Sequence, residues 1–213
     1  MSTFRRSAAV VAAGAAVFTL AGAFAGVAGA ETVGPATGES NSMKFQRSVS
    51  ADAIVDGKVR VGDTITVTNR FDRKVGWTLS EVTDTHPTCF EAVPQTSVWT
   101  VSGKTYNNIV GSPGYKNEFT SGAGWTKLDP PLLWGADPLI WTQDYVVNCE
   151  VGDLHTGGVA WKSSNALEDK NKFPDAGPTI TVVKSSTPGG GGDGGGSGGS
   201  GSLDTGSLGS LFG

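Results

Sequence analysis

Short stretches in which apolar and polar residues alternate dominate the middle of the chain. Residues 58–61 alternate, Gly62 and Asp63 interrupt the pattern, and residues 64–69 alternate again with β-branched side chains throughout. A period of two is that of a β-strand with one buried face, so both runs predict strands. The same reasoning predicts further strands at residues 75–82, 97–101, 141–147 and 179–183.

Clusters of Gly, Pro, Asn and Asp separate these runs. Short strands punctuated in this way predict an antiparallel sandwich or barrel. Residues 164–172 form a helix-like stretch that is short and polar, so we predict a surface turn there. Residues 111–138 are rich in Gly, Pro and Trp and predict a long connection, and long loops are often functional.

Composition divides the chain into four parts. Residues 1–30 are predicted to be a signal peptide, and the small, polar residues 31–43 a flexible lead-in. Residues 44–185 hold all six Trp, all three Tyr and both Cys, and predict one folded β-sandwich domain. Residues 186–213 are a Gly/Ser-rich tail, with 13 Gly among the last 25 residues, and are predicted to be disordered.

The N-terminus has the three parts of a secretory signal. Arg5 and Arg6 are followed by an uncharged apolar stretch that ends in Ala28-Gly29-Ala30, the order that a signal peptidase requires. A membrane anchor is the alternative, but Ala and Gly contribute little transfer free energy. We therefore predict cleavage after Ala30, general secretion rather than twin-arginine export, and a secreted or cell-envelope-associated protein. The chain downstream has no apolar run long enough for another membrane span.

The charge balance argues against nucleic acid as a partner. Removing residues 1–30 takes away two of the 16 basic residues and none of the 20 acidic ones, which leaves a formal net charge of −6. Nucleic-acid binding requires a basic patch or stripe.

Cys89 and Cys149 are the two cysteines of the chain. An even number of thiols in an exported protein favours a disulfide. This one would close a loop of about 60 residues and stabilise the fold by about 4 kcal/mol on the chain-entropy estimate. A redox or metal-binding role needs a C-x-x-C or His/Cys cluster, and only His86 lies near Cys89.

A search for chemistry finds no catalytic pattern. His86 and His155 are the two histidines, and His155 lies in a Gly-rich turn without a G-x-S-x-G motif in the chain. The glycines of residues 189–201 lack the strand before and helix after that a phosphate site requires. We predict no catalytic residue, no cofactor and no metal site.

A group of aromatic residues stands out around the predicted long loop. Tryptophan faces flanked by carboxylates are one way to stack on sugar rings, while the commoner role of such residues is to fill the core. Sugar binding and core packing both remain possible interpretations of these residues, and core packing is favoured. The candidate ligand-binding residues are Tyr115, Trp125, Trp134 and Trp141, with Asp129, Asp137 and Asp144 nearby.

Residues 61–69 (VGDTITVTN) resemble the early strands of bacterial immunoglobulin-like domains in surface and secreted proteins, and residues 179–184 resemble their last strand. The resemblance implies an immunoglobulin-like sandwich. The chain departs from the pattern in two places: Cys89 follows the third predicted strand rather than the second, and Tyr145 lies four residues before Cys149 rather than two. The signal and the Gly/Ser tail are similar to those of exported actinobacterial proteins of the mycolic-acid group.

The tail contains Leu203-Asp204-Thr205-Gly206, which lacks the Pro and the following hydrophobic span of a sortase signal. We interpret it as coincidence. The spaced apolar residues Leu203, Leu208, Leu211 and Phe212 suggest an alternative to plain disorder, a weak contact with an envelope partner.

Three functional readings follow. The first is a non-enzymatic, exported immunoglobulin-like domain that binds an envelope protein or glycan. The second is a carbohydrate-binding module or small polysaccharide-active enzyme that uses the Trp-rich loop. The third is a structural component of the envelope without a discrete ligand.

Overall fold

The computed structural model describes residues 30–40, 43–74, 78–129, 138–163 and 172–185. These residues form strands and turns without a helix. The predicted signal peptide, the tail, Trp77, Trp134 and residues 164–171 lie outside the described residues. The strands are β1 (Glu31–Glu39), β2 (Met43–Ala51), β3 (Lys58–Arg60), β4 (Thr64–Arg73), β5 (Leu79–Thr85), β6 (Phe90–Ala92), β7 (Val98–Val101), β8 (Lys104–Asn107), β9 (Phe119–Gly122), β10 (Trp125–Leu128), β11 (Leu139–Val147), β12 (Gly152–His155), β13 (Gly158–Ser163), β14 (Lys172–Phe173) and β15 (Thr179–Val183).

The strands assemble into three sheets. The seven-stranded sheet has the order β1-β2-β4-β11-β7-β8, and β6 pairs with β11 on the same side as β7. The five-stranded sheet has the order β14-β13-β5-β10-β9, and the three-stranded sheet has the order β12-β15-β3. The pairs are antiparallel except for β15 with β3. The prediction of an all-β fold with antiparallel sheets is confirmed.

One face of the seven-stranded sheet is buried at its central strands, because β2, β4 and β11 have a buried residue at every second position. One part of this face shares an apolar cluster with the five-stranded sheet, and the other part shares a cluster with the three-stranded sheet. Both smaller sheets therefore pack against the same face. Rings that fill the first cluster include Phe45, Phe71, Trp99, Trp141 and Trp161.

The strands predicted from β-branched alternation are present. The runs at residues 58–61, 64–69, 97–101, 141–147 and 179–183 correspond to β3, β4, β7, β11 and β15. The predicted run at 75–82 is described only from residue 78 onward, where it contains β5. A bulge against β13 places Leu79 and Val82 on the same buried face although they are three residues apart.

Residues 31–43 differ from the prediction of a flexible lead-in. They contain β1, which pairs with β2 at the edge of the seven-stranded sheet, with an irregularity between Val33 and Ala36. The backbone of β2 supplies the hydrogen bonds, and the Glu31 carboxylate accepts the N–H groups of Asp56 and Gly57 at 2.7 and 2.8 Å. Gly38 lies across from Phe45, whose ring occupies the space that a side chain would need. Pairing with a neighbour therefore orders a segment that has little apolar surface of its own.

The predicted long connection at 111–138 also contains regular structure. β9 and β10 form a hairpin within it, joined by Ala123 and Gly124, and β10 pairs with β5. Thr126 and Leu128 face the core, so alternating buried residues of β10 hold the hairpin in place. The neighbouring Gly and Lys residues make this alternation hard to recognise in the sequence.

Candidate binding surface

The structure separates the predicted aromatic residues. Tyr115 is 40 % exposed and Trp125 is 38 % exposed, whereas Trp141 is buried. The Trp141 indole N–H donates to Ser97 Oγ at 2.8 Å, and its strand neighbour is the buried Trp99. Trp141 is a core residue, so its inclusion among the candidate ligand-binding residues is wrong. Of the predicted set, only Tyr115 and Trp125 are described as accessible.

Trp125 has a clear partner within the fold. It lies directly opposite Gly122 in the β9–β10 hairpin, and its ring covers the space beside the Gly122 Cα. An aromatic ring that covers a glycine in the neighbouring strand stabilises an edge hairpin. Part of the Trp125 ring is thus used by the structure rather than left for a ligand.

A loop at residues 108–118, called the edge loop below, connects β8 at the edge of the seven-stranded sheet to β9 at the edge of the five-stranded sheet. Asn107 organises it from its base. The Asn107 Oδ1 accepts the Ile109 N–H at 2.9 Å and also bonds the Ser112 hydroxyl, and its Nδ2 donates to the Pro113 carbonyl at 2.9 Å. Asn side chains that bond nearby backbone groups in this way hold tight turns.

The backbone of Asn107 adds a second set of contacts to the edge loop. Its N–H donates to the Gly114 carbonyl at 3.0 Å, and its carbonyl accepts the Lys116 N–H at 2.8 Å. The returning arm of the loop therefore runs beside the end of β8.

The edge loop is also tied to the turn between β6 and β7. Asn108 exchanges two hydrogen bonds with the Ser97 backbone, at 3.0 and 3.1 Å. The Val110 N–H donates to Gln95 Oε1 at 3.3 Å. The hydrogen bonds within the edge loop and to the turn between β6 and β7 hold the loop in one conformation.

Apolar side chains project from this ordered loop. Val110 is 69 % exposed, and Ile109 and Tyr115 are also exposed. Single exposed apolar residues are ordinary, whereas several on one short ordered loop offer a partner more apolar surface to cover. Because the loop is already ordered, binding through it would lose little conformational entropy.

The Glu118 carboxyl, in the last residue of the edge loop, is partly desolvated. Burial raises the pKa of the Glu118 carboxyl above its ordinary value, while the charge of Lys116 lowers it and that of Asp129 raises it. Lys116 also lies over the Tyr106 ring, 5.9 Å from its centroid. The edge loop thus carries exposed apolar side chains and, near its C-terminal end, the ionisable groups of Lys116 and Glu118.

A buried polar cluster lies between the sheets. The Arg47 guanidinium contacts the Asp84 carboxylate at 2.7 Å, and both side chains are 0 % exposed. Asn69 accepts a hydrogen bond from Arg47 at 2.9 Å, and the Tyr145 hydroxyl donates to Asp84 at 2.9 Å. Burial, followed by the charge of Asp84, holds the pKa of Tyr145 well above its ordinary value. Since β2, β4 and β11 meet β5 here, the cluster joins two sheets.

His86 lies in the loop that follows β5, whereas His155, which was predicted to lie in a turn, is the last residue of β12. The buried His86 has its Nδ1 3.0 Å from the Pro87 carbonyl, and its ring packs against Tyr145. The Nδ1 of His155 accepts the Gly157 N–H at 3.3 Å.

Cys89 and Cys149 form the predicted disulfide, with Cα atoms 4.9 Å apart. The bond connects the segment that leads into β6 with the residues just after β11. Disulfides persist in oxidising compartments, so this bond supports an extracellular environment.

No group of three or more possible metal-ligating side chains comes together in the part of the chain that the structure describes. None of the described residues belongs to a helix that could cross a membrane. The chain matches no protein family model and no curated protein.

Proposed function

We propose that the protein is an exported, immunoglobulin-like β-sandwich that has no catalytic role and binds an extracellular or cell-envelope protein through the edge loop. The observation that carries this proposal is the ordered loop with several exposed apolar side chains, Ile109, Val110 and Tyr115. The disulfide and the predicted signal peptide support export.

A protein partner accounts for this surface better than a glycan does. Sugar binding usually requires several exposed rings in one place, but Trp141 is buried and Trp125 is used to cover Gly122. Branched aliphatic side chains such as Val110 offer apolar area without the flat face that a sugar ring stacks on. Such area at the centre of an interface is typical of protein recognition.

The proposal is tested by photo-crosslinking in the cell that makes the protein. A photoreactive phenylalanine analogue replaces Val110, and the matched control carries it at Val55, which is 61 % exposed between β2 and β3, outside the edge loop. We expect one discrete protein adduct from position 110 and none of that mass from position 55.

Other outcomes would reject the proposal. The same adducts from both positions, or none from position 110, would contradict a binding role for the edge loop. A broad adduct that polysaccharide-degrading enzymes shorten would instead support the carbohydrate-binding reading.

A further inference from the structure

A cavity of about 410 Å³, shallow and widely open to solvent, lies beside the disulfide. Its wall contains two continuous stretches of chain, residues 88–92 and residues 121–123, together with Asn148. Successive side chains of a strand point to opposite faces, so a face exposes only every second residue. The consecutive strand residues 90–92 of β6 and 121–122 of β9 are those expected where a cavity runs along strand edges, and the turn residues beside each strand complete the two walls.

The edge of β6 that faces away from β11 has free pairing capacity. The Cys89 carbonyl accepts the Asn148 N–H, and the Val93 N–H donates to the Asp144 carbonyl, both at 2.9 Å. Because backbone groups alternate in direction along a strand, the N–H and carbonyl of Ala92 point to the opposite edge. The described part of the chain places no strand there.

The other wall is also a strand edge. β9 pairs with β10 on one side, and no further described strand lies beyond it. Gly122 and Trp125 flank the two-residue turn of this hairpin, which makes them a hydrogen-bonded pair. By alternation the backbone of Ser121 points outward. The edges of two different sheets therefore border one cavity.

We infer that this cavity binds an extended peptide segment of a partner protein, which adds as a strand to the free edge of β6. Main-chain hydrogen bonds supply the affinity in this mode of recognition, and alternate side chains supply the specificity. The inference rests on the proposed binding function but uses a different surface from the edge loop.

Charge indicates which peptides fit. Among the residues that the structure describes, Glu91 is the one charged residue of the cavity wall, and its carboxylate lies 3.2 Å from the Asn148 side-chain amide. A residue paired across from Glu91 on an added strand would lie beside that carboxylate. Opposite charges in this position are favourable, so the preferred peptide carries Lys or Arg there.

The test uses a phage library of linear dodecapeptides selected on the immobilised exported protein. We expect peptides enriched in Lys or Arg, with affinity reduced at least about tenfold by Ala92→Pro, which removes the outward N–H without touching the bonds to β11. Glu91→Lys should weaken binding about threefold to tenfold. The matched control is Glu39→Lys, a charge reversal on β1 outside the cavity, which should leave affinity unchanged.

Circular dichroism and thermal unfolding show whether each variant is folded, and Glu91→Lys tests the inference should Ala92→Pro fail to fold. Selection of no peptides, or of peptides indifferent to the cavity variants, would overturn the inference. Peptides whose binding is lost on Val110→Ser but not on Glu91→Lys would overturn it and leave the proposed function of the edge loop standing.

Discussion

The Arg47–Asp84 ion pair allows a quantitative test of how the sheets are joined. We expect Asp84→Asn to lower the free energy of unfolding by about 3 to 5 kcal/mol, because it leaves Arg47 buried without a counter-charge. A domain has about 5 to 15 kcal/mol of stability in total. The variant should therefore be close to the limit of folding.

The magnitude follows from burial and from the contacts of the carboxylate. Both charged groups are 0 % exposed, at an N–O distance of 2.7 Å. Asp84 also accepts hydrogen bonds from the Tyr145 hydroxyl at 2.9 Å and from Asn69 Nδ2 at 3.4 Å. An amide at this position replaces one acceptor by a donor, so it loses the charge and disturbs at least one of these bonds.

The assay is urea unfolding followed by Trp fluorescence. The control is Asp72→Asn, which breaks the partly exposed Arg70–Asp72 pair at 2.9 Å and should cost about 0 to 1 kcal/mol. The double variant Arg47→Met/Asp84→Leu removes both charges and should be more stable than Asp84→Asn alone. An Asp84→Asn variant no less stable than Asp72→Asn would refute the reasoning.

Two further predictions concern stability. Tyr145 should stay protonated until the protein unfolds, because its pKa in the folded state is raised by burial and by Asp84. The unfolded chain, in contrast, releases this proton near pH 10. The free energy of unfolding should therefore decrease as the pH rises above about 10, by up to about 1.4 kcal/mol per pH unit from this group. Alkaline unfolding curves, compared with those of Tyr145→Phe, check this, and an equally steep fall in the variant would contradict it. The Cys89→Ala/Cys149→Ala variant should lose about 2 to 4 kcal/mol in denaturant unfolding, because the disulfide restricts the unfolded chain. Unchanged stability would show that the bond does not stabilise the fold.

The strands of the core follow from the sequence because their residues carry the signal themselves. In β4 and β15, β-branched residues alternate with polar ones, and a one-residue shift in register would expose the buried set. The two thiols and the predicted signal peptide were likewise enough to predict the disulfide.

The segments that the sequence did not predict as strands are those that become ordered by pairing with a neighbouring strand. β1 has few apolar residues, and its stability comes from pairing with β2 and from contacts such as that of Gly38 with the Phe45 ring. Similarly, β9 lies at an edge and depends on β10. No period within either segment indicates this pairing.

The sequence contains a signal for the buried ion pair of Arg47 and Asp84. Arg47 occupies an inward position between Phe45 and Val49, and Asp84 occupies the inward position two residues after Val82. A charge on the apolar side of a strand suggests a buried partner, but the sequence separation of 37 between Arg47 and Asp84 conceals their pairing. The edge loop is harder to predict, because its order depends on the several hydrogen bonds of Asn107.

The most direct test of the central claim is saturable binding of the purified protein, without the predicted signal peptide, to cell envelopes from which the protein has been removed. Val110→Ser removes the most exposed apolar side chain of the edge loop, and Val55→Ser is the matched control between β2 and β3. We predict that Val110→Ser weakens binding at least about tenfold, as for a residue central to an interface. Val55→Ser should bind as the wild type does, and the stability of both variants should be unchanged. Equal binding by wild type, Val110→Ser and Val55→Ser would contradict the assignment of the edge loop as the binding surface.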